Sequence, residues 1–568
     1  MVNLLNDELP ALPHGLAAAF WWALNPLFQL LVFDPKGLTL AADPLSNAPE
    51  LTFVEDDTGA TGTIGAAVAT AKKAMVAAEM VYMAMAQLKQ LSCGGPELQN
   101  GQTSRGGSGG WHSAKGGEVA IDCPGQEILE RTSAVISDRM VEARLTAGLP
   151  AAGRTILASA AQRMFLETLP QVVERALMYR SVDPQAMHAL AASVEDQEYL
   201  RSQLESLGLV AFIGNGAVLP RVSGVSNMPL ATNTVVRFQA PPELQVMVEL
   251  PNQGAVVGMG IRQGVTLICG GGFNGKSTLL QAIERGVYNH APGDGRERVV
   301  TDATATKIKA EEGRFVCSTD IRPFINNLPL SKTTDAFSTA NASGSTSMAA
   351  SIQEAVEVEA STLLFDEDTC ATNFLVRDGR MQQLVSQDCE PITPLVSRVR
   401  ELWEAKGVSS IMVIGGCGDY LDVADTVVSM HGYVPSDVTK KAKDIARRMP
   451  VVIEIPQIKY GSLAPPATSG VGADAHERTD EPEVFPELDL TALDQLVSVS
   501  QTRAIASMLQ LATQNARRRT MRSLVSDMCT TALGDLPAGH GVAGNLARPR
   551  GIEVALAINR LRYAQIQP

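Results

Sequence analysis

Uninterrupted apolar runs that end on glycine or acidic turns lay out the middle of this chain. Gly264-Val265-Thr266-Leu267-Ile268-Cys269 and Ser361-Thr362-Leu363-Leu364-Phe365 each have the length of a strand buried on both faces. After Leu250-Pro251 the pattern alternates buried strand, glycine loop and helix, which predicts a parallel sheet with crossover helices over roughly residues 224–452. Residues 118–223 read as a mixed α/β lobe: a strand-like Val119-Ala120-Ile121-Asp122, then helices to about Arg180 separated by Gly148-Leu149-Pro150 and Leu169-Pro170, then a short strand at Ala211-Phe212-Ile213. The Pro, Gly, Ala and acidic content of Gly461 to Pro486 predicts a disordered insert within a linker over 453–486. Amphipathic periodicity over Leu488–Leu511 and Arg517–Leu533, with a last helix over Ile552–Ile566, predicts a helical C-terminal subdomain over 487–568.

Residues 1–117 form an N-terminal segment of different texture. Ile64 to Leu91 is rich in Ala, Met and Leu and predicts a long helix, and the glycine-rich run from Cys93 to Gly117 predicts a linker. Its Gly-Gly-Ser-Gly-Gly has no Lys-Ser pair at the spacing a phosphate cradle needs. Gly15 to Phe33 carries no charge and is barely long enough to cross a bilayer, but Asn25-Pro26 and Gln29 interrupt it, so buried core is the expectation. The acidic opening lacks the basic start of a signal peptide and the Arg-rich composition of a mitochondrial presequence.

A length of 568 residues implies two to four domains, and 45% hydrophobic with 19% charged residues is ordinary for a globular chain. The formal charge of −14 excludes a surface that is basic all over, so nucleic acid could be met only by local patches. Two such patches are Arg517-Arg518-Arg519 with Arg522 on one predicted helix, and Lys440, Lys441, Lys443, Arg447 and Arg448 on another. The eight cysteines contain no C-x-x-C pair and no histidine at zinc spacing, which favours a reducing compartment without a structural metal.

The candidate chemistry sits where the apolar runs end. Gly270-Gly271-Gly272-Phe273-Asn274-Gly275-Lys276-Ser277 matches G-x-x-x-x-G-K-[ST], with Thr278 following into a helix. Glycines let backbone N–H groups close around phosphates, and the helix start adds a positive dipole end. Lys276 is expected to reach the β- and γ-phosphates of ATP, and Ser277 to ligate Mg²⁺. The second run delivers Asp366 and Glu367 at a strand's carboxyl end, the edge where ligands bind in open α/β sheets. Asp366 is the expected second Mg²⁺ ligand and Glu367 the expected catalytic base. Between them Asn341 to Ser347 clusters hydroxyls around Gly344 at a helix start, offering donors to an anion. Tyr288, His290 and Arg296, after the P-loop helix, either order a loop over the nucleotide or pack.

In order and spacing these motifs resemble an ABC ATPase head: Walker A at Gly270–Ser277, a signature-like Ser343-Gly344-Ser345, Walker B at Leu363–Asp366 with Glu367, and a D-loop-like Asp368 to Asn373. Several segments resemble the stand-alone "predicted ABC-class ATPase" family of bacteria and some eukaryotes, among them GVTLICGGGFNGKSTLLQAIERG, FSTANASGSTS, LLFDEDTCATNF and GGCGDYLDVADTVVSM. The resemblance implies an α/β fold: an ABC-type P-loop head, a mixed α/β N-terminal lobe and a helical C-terminal subdomain. It also implies a homodimer in which each P-loop faces the other chain's Ser343, Gly344 and Ser345, and a soluble protein without a membrane domain. A kinetoplastid mitochondrial member associated with RNA-editing complexes implies an RNA-related role, protein partners there and a mitochondrial location; without that link the cytoplasm is expected. The sequence departs from the class at two places: no glutamine falls between Gln281 and Gln353 for the Q-loop, and Gly418 stands where the switch histidine is expected. The first hundred residues match poorly apart from Asp43-Pro44-Leu45. An ATP-driven switch leads, with a nucleotide-gated RNA-binding module of little turnover as the alternative and a small-molecule kinase third.

Overall fold

The computed structural model describes residues 119–453 and 488–561, short stretches excepted, and four short strands outside those ranges (Leu31–Asp34, Gly37–Ala42, Val471–Gly472 and Gln565–Ile566). The expected Ile64–Leu91 helix and the glycine-rich run fall outside the described residues, as do nearly all of the insert and of Gly15–Phe33. Among the described residues no helix is long and apolar enough to cross a membrane.

The centre is a six-stranded sheet of β1 (Val265–Cys269), β2 (Thr306–Ile308), β3 (Thr362–Asp366), β4 (Ser409–Val413), β5 (Thr426–His431) and β6 (Val434–Asp437), in the order β2-β3-β4-β1-β5-β6. The first five are mutually parallel and β6 turns back antiparallel on β5. Helices cover both faces, which is why β3 and β4 are buried at every position rather than alternating. The helix α1 (Lys276–Arg285) buries Leu279, Leu280 and Ile283 against one face, each contributing roughly 1.5–3 kcal/mol. The same core continues into an antiparallel sheet of Gln245–Leu250, Gly254–Arg262, Leu209–Gly214 and Val299–Thr301. The opposite face carries α2 (Gly344–Glu357) and α3 (Val399–Lys406), and beyond β6 lies α4 (Thr439–Arg448).

The flanking regions correct several expectations. Helices were expected to follow Val119–Ile121, but Ala134–Ile136 and Val141–Ala147 are strands, and Val141 to Leu145 alternates buried and half-buried as a one-sided sheet requires. Leu169-Pro170 does not separate two helices: a continuous helical path of α and π turns runs from Ala158 to Leu177, and Pro170, which has no N–H to give the ladder, lies between its two π segments, Met164–Thr168 and Val173–Leu177. In the C-terminal region Leu488 to Ser498 is turn rather than helix. Asp489 accepts from the backbone N–H and hydroxyl of Thr491, a local bond that competes with helix, and α5 begins only at Val499 and runs to Asn515. The next helix, α6, is Met521–Thr530, capped by Thr520, so Arg519 lies before it and not beside Arg522 on one helix; Arg517 and Arg518 are outside the described residues. The last helix, α7 (Gly551–Ile558), is shorter than expected and packs Ile552 and Leu556 into the core that also holds α2.

Candidate functional site

Parallel register places the candidate residues on one edge. Ile268 of β1 is level with Val413 of β4, and Val413 with Asp366 of β3. Asp366 therefore leaves the sheet in the same row as the residue two before Gly270, about 10 Å across at roughly 4.8 Å per strand.

The loop Gly270–Gly275 needs its glycines. Gly270 has φ 137°, and a Cβ there would lie 2.4 Å from the carbonyl oxygen of Met430. Gly275 has φ 89° as the residue before α1, and a Cβ there would lie 2.9 Å from Tyr433. Asn274 ties the loop down, donating to Gly272 O at 3.1 Å and accepting from the N–H of Gly432 at 2.8 Å. Lys276 folds its ammonium back onto the carbonyls of Gly270 (2.8 Å) and Gly271 (2.9 Å), so the cation lies over the cradle that a polyphosphate would fill. Ser277 is exposed on the first turn of α1 and Thr278 is half-buried. Phe273 has φ 59°, uncommon for a residue with a side chain, and its ring is fully exposed.

Asp366 is buried (6% exposed) and accepts from the N–H of Asp368 at 3.3 Å. Glu367 opens a short turn, Glu367–Thr369, and its carboxylate accepts from the backbone N–H groups of Gly415 and, at 3.0 Å, Gly416. The sequence reading missed this pair of amides. The signal was the Gly-Gly directly after the apolar Ser409–Ile414, at the same edge as the acidic turn. Burial pushes the neighbouring Cys370 thiol up to about 12.

Ser343 is the N-cap of α2, but its hydroxyl pairs with that of Thr346 at 3.0 Å instead of capping the backbone. Ser345 donates to Asn373 in the D-loop-like segment at 2.8 Å, and Ser347 bonds Gly344 O and the N–H of Glu311. The free N–H of Gly344 donates to Glu312 Oε1 at 2.9 Å. Among the described residues no hydrogen bond joins this segment to the P-loop of the same chain.

Tyr288, His290 and Arg296 pack rather than cover the P-loop. The Tyr288 hydroxyl donates to Gln495 O at 2.9 Å and receives from Gln501 at 3.0 Å, with the Glu553 carboxylate 3.2 Å away. Burial, then the Glu553 charge, raises its pKa well above the usual phenol range. His290 Nδ1 lies 2.9 Å from Asp294, which also pairs with Arg221, and Arg296 donates to Leu219 O at 3.0 Å with its pKa lowered to about 9 by burial. Of the basic patches, Lys440, Lys441, Lys443, Arg447 and Arg448 are exposed on α4, while Arg519 pairs with Asp527 and Arg522 with Glu359.

Comparison with known proteins matches three family models along the chain. Residues 103–180 match "ATPase of the ABC class N-terminal", 183–460 match the P-loop domain "ABC_ATPase", and 485–567 match "MRB1590 C-terminal domain". An uncharacterised protein of Methanocaldococcus jannaschii is 34% identical over 239 residues, 41% of this chain and 52% of that protein. The match thus spans about half the length of that relative. Among solved structures, CbiO1 of Clostridium perfringens, part of the ABC transporter complex cbiONQ, aligns at 13% identity and TM-score 0.27, covering 43% of this chain and 94% of that one. The ADP conformation of MJ1267, an ATP-binding cassette of an ABC transporter, aligns at 12% identity and TM-score 0.25, covering 42% and 95%.

Proposed function

We propose, from the premise that the chain belongs to the ABC class of P-loop ATPases, that it binds Mg-ATP at Gly270 to Thr278 and hydrolyses it at composite sites of a homodimer. One observation carries the reading: the register of β1, β4 and β3 brings a glycine cradle with its lysine and an Asp-Glu pair to one edge, with Glu367 held by the Gly415 and Gly416 amides. The residues fit the nucleotide. The loop backbone at Gly270 has no room for a side chain, and among the described residues Lys276 has only loop carbonyls for hydrogen-bond partners, weaker acceptors than a charged phosphate. Ser277 and Asp366 would hold Mg²⁺, whose contribution is to neutralise charge on the phosphate oxygens.

In this reading Lys276 orients the β- and γ-phosphates, and Glu367 takes the proton of the attacking water. Two backbone amides steady Glu367, where an imidazole from the position of Gly418 is expected in the class. Without the Q-loop glutamine and the switch histidine of the class, slow turnover follows. Ser343, Gly344 and Ser345 face the partner's γ-phosphate and close over it, making the protein a nucleotide-driven switch. The exposed basic face of α4 and the MRB1590-type C-terminal domain support RNA, or an RNA-processing complex, as the object of that switch, and with it the mitochondrial location. The same two features support the second reading, a nucleotide-gated RNA-binding module with little turnover.

Complementation tests the shared site. Lys276→Ala alone is expected to lose nucleotide binding, and Ser343→Arg alone to bind ATP without closing. Mixed and allowed to exchange, they form heterodimers with one intact P-loop facing one intact signature, so part of the ATPase activity should return. A fully active monomeric Ser343→Arg chain would remove the homodimer mechanism. RNA retention that follows ATP binding but ignores Glu367→Gln would favour the second reading.

A further inference from the structure

We propose that Glu312 is an internal rival for the anion seat at the start of α2, so that a facing subunit's nucleotide closes onto this segment only after the Glu312 carboxylate has left. The inference rests on the composite-site reading above. Glu311-Glu312 lies in the loop that leaves β2, and the loop is pinned at both ends: Ala310 N–H donates to Thr369 O at 2.9 Å and Gly313 N–H to Ala342 O at 2.8 Å. Between these pins Glu312 reaches the N–H of Gly344 at 2.9 Å. The first N–H groups of a helix have no partner inside it, and their end of the dipole favours an anion. Ser343 does not meet that need, since its hydroxyl is engaged with Thr346. An exposed carboxylate of the same chain therefore occupies the donor that the composite site assigns to the partner's γ-phosphate. One N–H cannot serve both, and the two anions repel.

The molecule also holds a place for the displaced group. Beside Glu312 a cavity of about 360 Å³ opens between the P-loop domain and the C-terminal region, lined by Lys309, Glu311, Glu312, Arg314, Asp489 and Arg560. Arg314 is buried and its Nε has no hydrogen-bond partner among the described residues. Arg560 is buried close by, its pKa lowered by burial and then by the charge of Arg314. A carboxylate turning from Gly344 into this cavity comes beside two guanidiniums that already hold other carboxylates, Arg314 that of Glu354 and Arg560 that of Glu311, so it would have to share them. Glu311, the adjacent residue, already pairs with Arg560 just beyond α7. The swing of Glu312 thereby carries the state of the signature-like segment to the C-terminal region.

The experiment is an ATP titration of the full chain in a Glu367→Gln background, followed by molecular mass in light scattering, with thermal unfolding as the control for folding. Added Glu312→Ala should bring half-maximal dimerisation to a roughly tenfold lower ATP concentration, the size of effect expected when a helix-start carboxylate stops competing. Glu312→Gln, neutral but still able to accept from Gly344, should shift it less, by roughly threefold. A purely structural cap gives the opposite pattern, a lower thermal midpoint with dimerisation unchanged or weakened. An unchanged or raised ATP requirement in a folded Glu312 variant, beside a parent that dimerises, overturns the rivalry and leaves the composite site standing. Parent and variants that all remain monomeric at saturating ATP overturn both. Should Glu312→Ala fail to fold, Glu312→Gln decides by the same outcomes.

Discussion

Two regions of this molecule gather charged and polar groups for opposite ends. At the sheet edge Lys276 leans on two carbonyls of its own loop and Glu367 on two backbone amides, with the whole set open to one side. At the seam between the P-loop domain and the C-terminal helices, the buried Tyr288, Glu553, Gln495 and Gln501 are linked by hydrogen bonds, and the half-buried Arg550 donates to Glu553 with its guanidinium 5.7 Å from the Tyr288 ring centre. Burial alone would lower the pKa of Arg550, but the Glu553 carboxylate beside it opposes this, and the net direction is up. The difference separates reactivity from stability. Groups bound only by weak neutral partners can be taken over by a ligand, whereas a closed buried network has no member to spare.

The sharpest break between the two regions should come from Glu367→Gln. The amide keeps the shape and cannot act as a base, so turnover should fall by roughly 10²–10⁴-fold while ATP affinity and the thermal midpoint stay near those of the parent. Parental turnover in this variant would move the base to a neighbour such as Asp368. Tyr288→Phe should do the reverse. Removing the hydroxyl strands Gln501 and Gln495 O in a dry seam, at a cost of about 1–3 kcal/mol, read as a lower unfolding midpoint with kcat per folded molecule unchanged. A loss of kcat without a loss of stability would show that the seam takes part in the chemistry. Smallest is Phe273→Gly, which relieves a left-handed backbone at about 1 kcal/mol and strips an exposed ring from the P-loop. Equal or slightly higher stability is expected in thermal unfolding, and a clear loss would mean the ring packs on something in solution.

Legibility in the sequence followed the range of the forces involved. The strand-loop-helix around Gly270 to Thr278 and the acidic strand end at Asp366-Glu367 could be read directly, because a buried parallel strand is a short apolar run and its functional turn follows at once. Where a fold choice hung on competing local bonds, reading failed. Leu488 to Ser498 had the apolar spacing of a helix, yet Asp489 and Thr491 closed a turn; Val141–Ala147 alternated well enough for a strand, yet the neighbouring glycine and proline suggested helices.

The sequence by itself determined the two local motifs, since Gly270 to Ser277 and Asp366-Glu367 each lie within a few residues, where covalent geometry limits the arrangement whatever surrounds them. Only the tertiary structure decided what those groups touch. Glu367 meets Gly415 across 48 residues, Gly344 meets Glu312 across 32, and Tyr288 meets Glu553 across 265. Such pairs leave no periodic trace in a chain, because a hydrogen bond depends on a distance of about 3 Å in space and not on separation along the backbone.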